Sequence, residues 1–283
     1  MKPDELIAKA QNLSAPSPAV IKLLGLLSES EADNEEVIDI ITRDSIVSSK
    51  LLGLCNAAVY GLTTPVASID QAVLYLGHSE IHRLVMTVGF GGALSPALKG
   101  YAIGEQELWQ HSLLTAHVAV IIADRTSHPV IDPAIAYTGG LIHDIGKNVI
   151  NRAITPEMQK ALMELIEHQE HSLLAAERTV LGTDHAEVGA SLLRKWRLPE
   201  ILVEGVAYHH KPVSKPHAKL SALVHVSDVI AHEAGCSPGI GSFAMEIDED
   251  AITALGLEAA DLERLVIDAH DAMTDVNRLR TTP

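Results

Sequence analysis

Apolar residues recur along this chain at intervals of three and four, which places them on one face of an α-helix. A first helix is predicted to start at Ser17-Pro18, because a capping hydroxyl precedes a proline at the first helical position. Its apolar face comprises Val20, Ile21, Leu23, Leu24 and Leu27. Alternating apolar and polar runs bounded by hairpin turns are scarce. The pattern therefore predicts an all-α fold.

Other helices in the first third of the chain are predicted from their caps and stops. The predicted starts are Asn34, Asp44, Ser68 with Gln71, and Ser79-Glu80, and the predicted stops are Tyr60-Gly61, Gly77 and Gly91-Gly92. Ser95-Pro96 and Gly100 then interrupt the pattern. Residues 1–100 are therefore predicted to form an N-terminal helical subdomain.

Residues 101–283 are predicted to form a second helical unit with a C-terminal extension. Its helices are expected around residues 105–124, 133–148, 156–167, 172–181, 185–196, 199–209, 217–233 and 259–278. The last of these looks amphipathic and could cap the fold or mediate pairing.

Composition narrows the possible functions. The 283 residues are 47% hydrophobic but only 3% aromatic, so the core must be aliphatic. A net charge of −16 would repel a phosphate backbone, and no nucleic-acid partner is expected. Cys55 and Cys236 form neither a dense disulfide pattern nor a thiolate zinc motif. Without a secretory signal or an apolar run of about 18 residues, the protein is expected to be soluble and cytoplasmic, with no membrane contact.

Histidine is the residue type that points to chemistry, since its fifteen copies outnumber phenylalanine, tyrosine and tryptophan together. His143 and Asp144 are adjacent in the apolar segment Gly140-Leu-Ile-His-Asp-Ile-Gly-Lys147. A buried His-Asp pair needs a partner, and a divalent metal satisfies both groups at once. A buried ion pair without metal is the alternative.

Four further elements fit a metal site. Glu107 and His111 are four residues apart on one helix face, although helix-dipole effects alone would explain Glu107. The other three elements are His185 at a helix start, the doublet His209-His210, and Asp228 in a strongly apolar helix. These stretches are predicted to converge on one pocket.

The remaining histidines are given no ligand role. His117 and His225 lie on the helices of His111 and Asp228, six and three residues away respectively, and neither is taken as a ligand. The others are treated as surface or hydrogen-bonded core residues: His78, His82, His128, His168, His171, His217, His232 and His270.

The order of these histidines and aspartates resembles the HD superfamily of metal-dependent phosphohydrolases, and in ligand content its HD-GYP branch. The surrounding sequence resembles HDOD, the HD-related output domain, from about residue 10 to about residue 235. The segments that carry this resemblance are Ser14-Ala-Pro-Ser-Pro-Ala-Val, Asp44-Ser-Ile-Val-Ser-Ser-Lys-Leu-Leu, Asn56-Ala-Ala-Val-Tyr-Gly-Leu, Ile69-Asp-Gln-Ala-Val-Leu-Tyr-Leu-Gly, Trp109-Gln-His-Ser, Asp184-His-Ala-Glu-Val-Gly-Ala-Ser-Leu-Leu, Trp196-Arg-Leu-Pro-Glu and His209-His-Lys-Pro.

The resemblance implies an HD-like helical bundle packed on an N-terminal helical subdomain, in a bacterial signalling module that contacts a protein partner. Such modules are often attached to response-regulator receivers, and catalysis is not generally expected of them. The implied metal ligands are His111, His143, Asp144, His185, His209, His210 and Asp228. Iron is the expected metal, with manganese, nickel or zinc as alternatives.

The alternative hypothesis is an enzyme, a metal-dependent phosphohydrolase acting on a nucleotide or cyclic dinucleotide. The nearly complete ligand set supports it, and Asp144 and Lys147 would be the catalytic residues, with Lys147 stabilising charge on a phosphate. The Gly-Tyr-Pro segment of HD-GYP proteins is absent, because Lys211-Pro-Val-Ser-Lys-Pro stands after the histidine doublet. Hydrolysis of cyclic dinucleotides is therefore disfavoured.

Overall fold

A computed structural model describes residues 1–10, 13, 15–26, 33–56, 65–125, 131–167, 172–212, 218–239 and 246–280. Within these ranges the regular secondary structure is helical, and the only β-type pairing is an isolated bridge between Leu98 and Ile103. The all-α prediction is confirmed. The predicted stop at Tyr60-Gly61, the apolar position Leu27 and four histidines lie outside the described residues; those histidines are His128, His168, His171 and His217.

Among the described residues, five helices precede the predicted boundary near residue 100. They are α1 (Pro3–Lys9), α2 (Pro18–Leu26), α3 (Asn34–Arg43), α4 (Ser45–Cys55) and α5 (Ile69–Leu94). The sequence did not predict α1. The N-cap of α3 is Asp33, whose side chain accepts a hydrogen bond from the Glu35 amide. The predicted start, Asn34, is therefore the first helical residue. Helix α5 contains the predicted break at Gly77, where φ is 76°.

A short 3-10 turn (Lys99–Tyr101) leads into the second half of the chain. The helices there are α6 (Glu107–Arg125), α7 (Pro133–Ile142), α8 (Ile145–Ala153), α9 (Pro156–Glu167), α10 (Leu173–Leu181), α11 (His185–Lys195), α12 (Glu200–Ala207), α13 (Ala218–Glu233), α14 (Glu249–Leu255) and α15 (Ala259–Arg280). The predicted helix 133–148 is divided, because His143 and Asp144 form a turn between α7 and α8. Helix α14 was not predicted.

Helix α6 lies at the centre of the fold, packed along α7 and α13, while α8 packs on α11 and α12 contacts both α11 and α13. The core is aliphatic, as the composition predicts. Helix α1 packs on α8 and α11, so the first residues contact the second half directly. The division of the chain near residue 100 stays a prediction. No helix in the described part of the chain is long and apolar enough to cross a bilayer.

The crossing of α8 and α11 depends on a glycine. A Cβ atom at Gly146 would lie 1.9 Å from the carbonyl oxygen of His185 and 2.7 Å from the amide nitrogen of Gly189. Any side chain here would therefore clash with backbone that cannot rotate away. Gly146 thus lets the turn that carries His143 and Asp144 approach the start of α11, where His185 lies.

Candidate metal centre

Five separate stretches of chain bring the predicted ligands together. Helix α6 supplies His111, and the turn between α7 and α8 supplies His143 and Asp144. The other contributions are His185 at the first position of α11, His209-His210 in the turn after α12, and Asp228 on α13. Their ligand atoms form three triads, and His111 and Asp228 form a fourth with His232; in each triad all three atoms lie within 4.8 Å of one another.

One end of the cluster is centred on Asp228. Its Oδ1 lies 2.9 Å from His111 Nε2 and 3.5 Å from His143 Nε2. His143 Nε2 also lies 3.4 Å from Asp144 Oδ2. Two ligand atoms about 2.1 Å from a common ion would be roughly 3.0–3.4 Å apart in octahedral or tetrahedral geometry. The spacing at this end therefore suits a shared metal ion.

The other end contains His185 and the histidine doublet. His185 Nε2 lies 3.3 Å from Asp144 Oδ1 and 2.9 Å from His210 Nε2. His209 Nε2 is 4.0 Å from the same Asp144 oxygen. Asp144 thus presents one oxygen to His143 and the other to His185, so its carboxylate lies between the two ends.

Three of the imidazole rings are oriented by a contact that their Nδ1 atom makes with a backbone carbonyl. The Nδ1 atoms of His111, His143 and His209 lie 2.8, 2.7 and 2.7 Å from the carbonyl oxygens of Cys236, Gly140 and Val206. A carbonyl can only accept, so each Nδ1 must carry the hydrogen. In the neutral form of each ring the lone pair is then on Nε2 and points into the cluster, which is how proteins prepare a histidine to bind metal.

Several inward-facing atoms have no hydrogen-bond partner among the described residues. They are the Nε2 atoms of His111, His143 and His209 and the Oδ1 atoms of Asp144 and Asp228. These atoms are close together but are not aimed at one another with hydrogen-bond geometry. An unsatisfied buried polar atom costs about 1–3 kcal/mol, so five in one place call for a shared partner. A divalent cation fits this donor set of imidazole nitrogens and carboxylate oxygens.

The electrostatics of the cluster favour a cation. Burial raises the pKa of Asp144, but Lys147 and His143 outweigh it and hold that pKa well below its usual value. Asp228 is likewise held low, chiefly by His143. Burial and the neighbouring imidazoles lower the pKa of His209 to about 3. The cluster thus combines ionised carboxylates with a neutral imidazole, the protonation states that metal ligands need.

His143 shows how strongly the two carboxylates attract positive charge. Burial alone would lower its pKa, yet the charges of Asp144 and Asp228 outweigh burial and raise it to about 10. A proton on His143 and a metal ion therefore compete for the same negative charge.

Lys147 is directed at a ligand rather than at open space. Its Nζ lies 2.6 Å from Asp144 Oδ2, and the side chain is buried. Burial lowers its pKa, but Asp144 outweighs burial and raises it. Lys147 therefore remains charged and neutralises part of the Asp144 carboxylate. The role predicted for it, stabilising charge on a phosphate, stays a prediction.

Two residues at the site were missed by the sequence interpretation. His232, which was given no role, has its Nε2 3.3 Å from Asp228 Oδ1 and its ring centroid 4.7 Å from that of His111. Its position four residues after Asp228, on the same helix face, was the sequence feature that could have predicted this contact. Glu177 is fully buried on α10 and contacts His185 Nδ1 at 2.8 Å. A carboxylate on a helix rich in apolar residues was its only signal.

The doubtful candidates do not join the cluster. Glu107 is exposed and accepts a hydrogen bond from the Gly104 amide at 2.8 Å. The His117 Nδ1 contacts the Leu113 carbonyl on its own helix. His225 donates from Nδ1 to the His209 carbonyl and accepts at Nε2 from the Asp248 amide. His225 thus supports the backbone of the histidine doublet rather than offering a ligand atom.

Solved structures with the same fold include two that cover almost the whole chain. An HDOD domain protein with unknown function from Geobacter sulfurreducens has a TM-score of 0.78 at 23% identity, covering 97% of this chain and 96% of that one. A structure named "Putative phosphohydrolase" from Shewanella amazonensis SB2B has a TM-score of 0.71 at 23% identity, covering 97% and 98%. At such identity these structures show the fold alone.

Curated sequences provide further relatives. An uncharacterized protein of Treponema pallidum is 26% identical over 199 residues, which is 70% of this chain and 37% of that protein. Ribonuclease Y of Deinococcus radiodurans is 28% identical over 141 residues, 50% of this chain and 18% of the relative. This chain therefore spans well under half the length of these relatives.

The family comparison is more direct. The profile of the HDOD domain matches residues 13–212, which is most of the chain and includes His111, His143, His185 and the histidine doublet. The fold agrees, since the HDOD domain protein of Geobacter sulfurreducens superposes over nearly its full length. This chain belongs to the HDOD domain family.

Proposed function

We propose that this protein is a regulatory module of bacterial signal transduction, which acts in the cytoplasm through contacts with a signalling protein partner and contains a divalent metal centre. The observation that carries the metal centre is the convergence of buried imidazole Nε2 atoms and carboxylate oxygens that have no hydrogen-bond partner among the described residues. Membership of the HDOD family supports the regulatory role.

The donor set would suffice for one or two ions, as the resemblance to the HD-GYP ligand content implies. One would be held by His111, His143 and Asp228, and the other by His185, His209 and His210. Asp144 would contribute to both sets, since one of its oxygens lies 3.4 Å from His143 and the other 3.3 Å from His185. Imidazole and carboxylate ligands without thiolate suit iron, manganese, nickel or zinc.

Burial of the ligands favours a structural role for the metal. Asp144 and Asp228 are 1% and 2% exposed, and His111, His143, His185 and His209 are fully buried. Catalytic metal sites keep a position open to substrate, whereas structural sites are closed by protein ligands. Lys147, the nearby cation suited to phosphate, is already paired with Asp144.

The second candidate function is a metal-dependent phosphohydrolase acting on a nucleotide or cyclic dinucleotide. The nearly complete ligand set favours it, and so does the name of the Shewanella structure. A bound divalent metal would supply an activated water. Asp144 would help to hold that metal. Lys147 would have to break its contact with Asp144 to reach a phosphate.

Stripping and restoring metal tests the metal centre that both functions require. We expect metal at 100-fold excess over its Kd to raise the Tm of the stripped protein by about 5–10 °C, because a ligand that binds only the folded state stabilises it. The His143→Ala variant should lose this shift, whereas His117→Ala, which alters a histidine outside the cluster, should keep it. Differential scanning calorimetry measures both.

The same preparations should show no turnover of phosphomonoesters, nucleotides or cyclic dinucleotides. Hydrolysis by the metal-loaded protein that disappears in His143→Ala would instead establish the phosphohydrolase. A Tm that does not respond to metal would remove the support for a structural metal centre.

A further inference from the structure

The segment that joins α5 to α6 is held in a defined conformation. Residues 98–103, called here the connecting turn, are closed by two backbone hydrogen bonds between Leu98 and Ile103, of 2.9 and 3.1 Å. The Gly100 amide donates to the Asn151 side chain on α8 at 2.8 Å. The connecting turn is therefore anchored both to itself and to the helix that follows the His143-Asp144 turn.

Tyr101 of the connecting turn reaches the candidate metal centre through one carboxylate. The Tyr101 hydroxyl donates to Glu177 Oε1 at 2.7 Å. The other oxygen, Oε2, accepts from the Nδ1 and the backbone amide of His185 at 2.8 and 2.9 Å. All three residues are at most 1% exposed. Glu177 therefore fixes the tautomer and ring direction of His185, and Tyr101 in turn fixes Glu177.

The connecting turn also contacts the loop after α13, which holds the histidines at the Asp228 end of the cluster. Gly239 has a φ of 73°, and a Cβ atom there would lie 2.3 Å from the Tyr101 carbonyl oxygen. The same loop supplies the Cys236 carbonyl to His111 Nδ1 and the Ser237 hydroxyl to His232 Nδ1. One short segment thus contacts Glu177, the outer partner of His185, and also the loop that carries the outer partners of His111 and His232.

We infer that the connecting turn, which follows α5 in the chain, is coupled to the metal centre, with Tyr101 and Glu177 acting as positioning residues for His185. This inference rests on the proposed metal centre. If metal binding requires the His185 ring in its present orientation, metal stabilises the Tyr101–Glu177 contact and therefore the turn. By reciprocity, a change in the turn must alter metal affinity by the same factor.

Removing the Tyr101 hydroxyl tests whether the connecting turn affects metal affinity. Tyr101→Phe should weaken Mn²⁺ binding about 10–100-fold, the usual effect of losing a residue that supports a metal ligand. Glu177→Gln should weaken it at least as much, because its amide cannot supply the negative charge that faces His185. Isothermal titration with Mn²⁺ on the stripped full chain measures both.

The matched control is Tyr137→Phe. Tyr137 is as buried as Tyr101 and its hydroxyl also makes a hydrogen bond, to Thr87 Oγ1 at 2.8 Å, but it lies between α5 and α7 rather than at the cluster. Its variant should bind Mn²⁺ within about twofold of the wild type. Circular dichroism confirms that each variant is folded.

Amide hydrogen exchange tests whether bound metal in turn stabilises the connecting turn. Mn²⁺ should slow exchange of the Leu98 and Ile103 amides in the wild-type protein, and this slowing should be largely lost in Tyr101→Phe. A merely structural tyrosine would loosen the turn equally with and without metal. The coupling would be overturned if Tyr101→Phe bound Mn²⁺ as tightly as the wild type, or if Mn²⁺ did not change amide exchange at the turn. Neither result would contradict the metal centre itself. A wild-type protein that binds no metal would overturn the metal centre as well.

Discussion

Gly146→Ala is expected to abolish metal binding and to lower the free energy of unfolding by about 3 kcal/mol or more. Overpacking a core with flexible neighbours typically costs about 1–3 kcal/mol, and here the added Cβ would lie 1.9 Å from the His185 carbonyl oxygen. Relief requires α8 and α11 to move apart. That movement separates Asp144 from His185, whose facing atoms are now 3.3 Å apart. Urea unfolding and Mn²⁺ titration measure the two effects.

Gly53→Ala is the matched control for this substitution. Gly53 also lies within a helix, but a Cβ atom there would meet nothing within 4 Å. The alanine should therefore stabilise the protein by about 0.5–1 kcal/mol through the lower backbone entropy of its unfolded state. If Gly146→Ala bound metal and unfolded like Gly53→Ala, the close crossing of α8 and α11 would be wrong.

Asp228→Asn is expected to lower metal affinity more than about 100-fold, beyond the usual cost of losing a residue that only supports a ligand. The carboxylate is the negative group shared by His111 and His143, at 2.9 and 3.5 Å. An amide in its place removes the charge that attracts the cation while keeping nearly the same volume. Isothermal titration with Mn²⁺ on the stripped variant measures the loss.

The loss of Asp228 should also affect the metal-free protein. Removing one partner from a buried charge cluster costs about 3–5 kcal/mol, because His143 then retains fewer compensating charges. Asp39→Asn is the control, since Asp39 forms an exposed ion pair with Arg43 at 2.8 Å, and such pairs contribute at most about 1 kcal/mol. Equal stability losses in the two variants would contradict the buried electrostatic role of Asp228.

The helical fold was predictable because its signals are local. Asp44 caps α4 with bonds to two amides, Gly77 interrupts α5, and both follow from short-range sequence patterns. The helices that were missed, α1 and α14, each have only seven residues, which is too short for a periodic pattern. The break at His143-Asp144 was missed for another reason. Apolar residues continue through it, and only tertiary contacts reveal that the helix is interrupted.

The candidate site was predictable only as far as residue type and order allow. Adjacent His143 and Asp144 in an apolar segment indicate a buried polar pair, and the structure places the other predicted ligands beside them. Lys147 was noted, but its contact with Asp144 was not foreseen. The contact of Glu177 with His185 joins two different helices, and no spacing rule reports such a pair. His232 was discounted because a single histidine rarely has a ligand role.

The central claim is that the converging histidines and aspartates hold divalent metal, and elemental analysis of the purified protein tests it most directly. The wild-type protein, incubated with iron, manganese, nickel and zinc and freed of unbound ions, is predicted to retain at least one ion per chain. His143→Ala should retain almost none, and His117→Ala should match the wild type. A wild-type protein that retains no metal after this treatment, or an ion content unchanged in His143→Ala, would contradict the account.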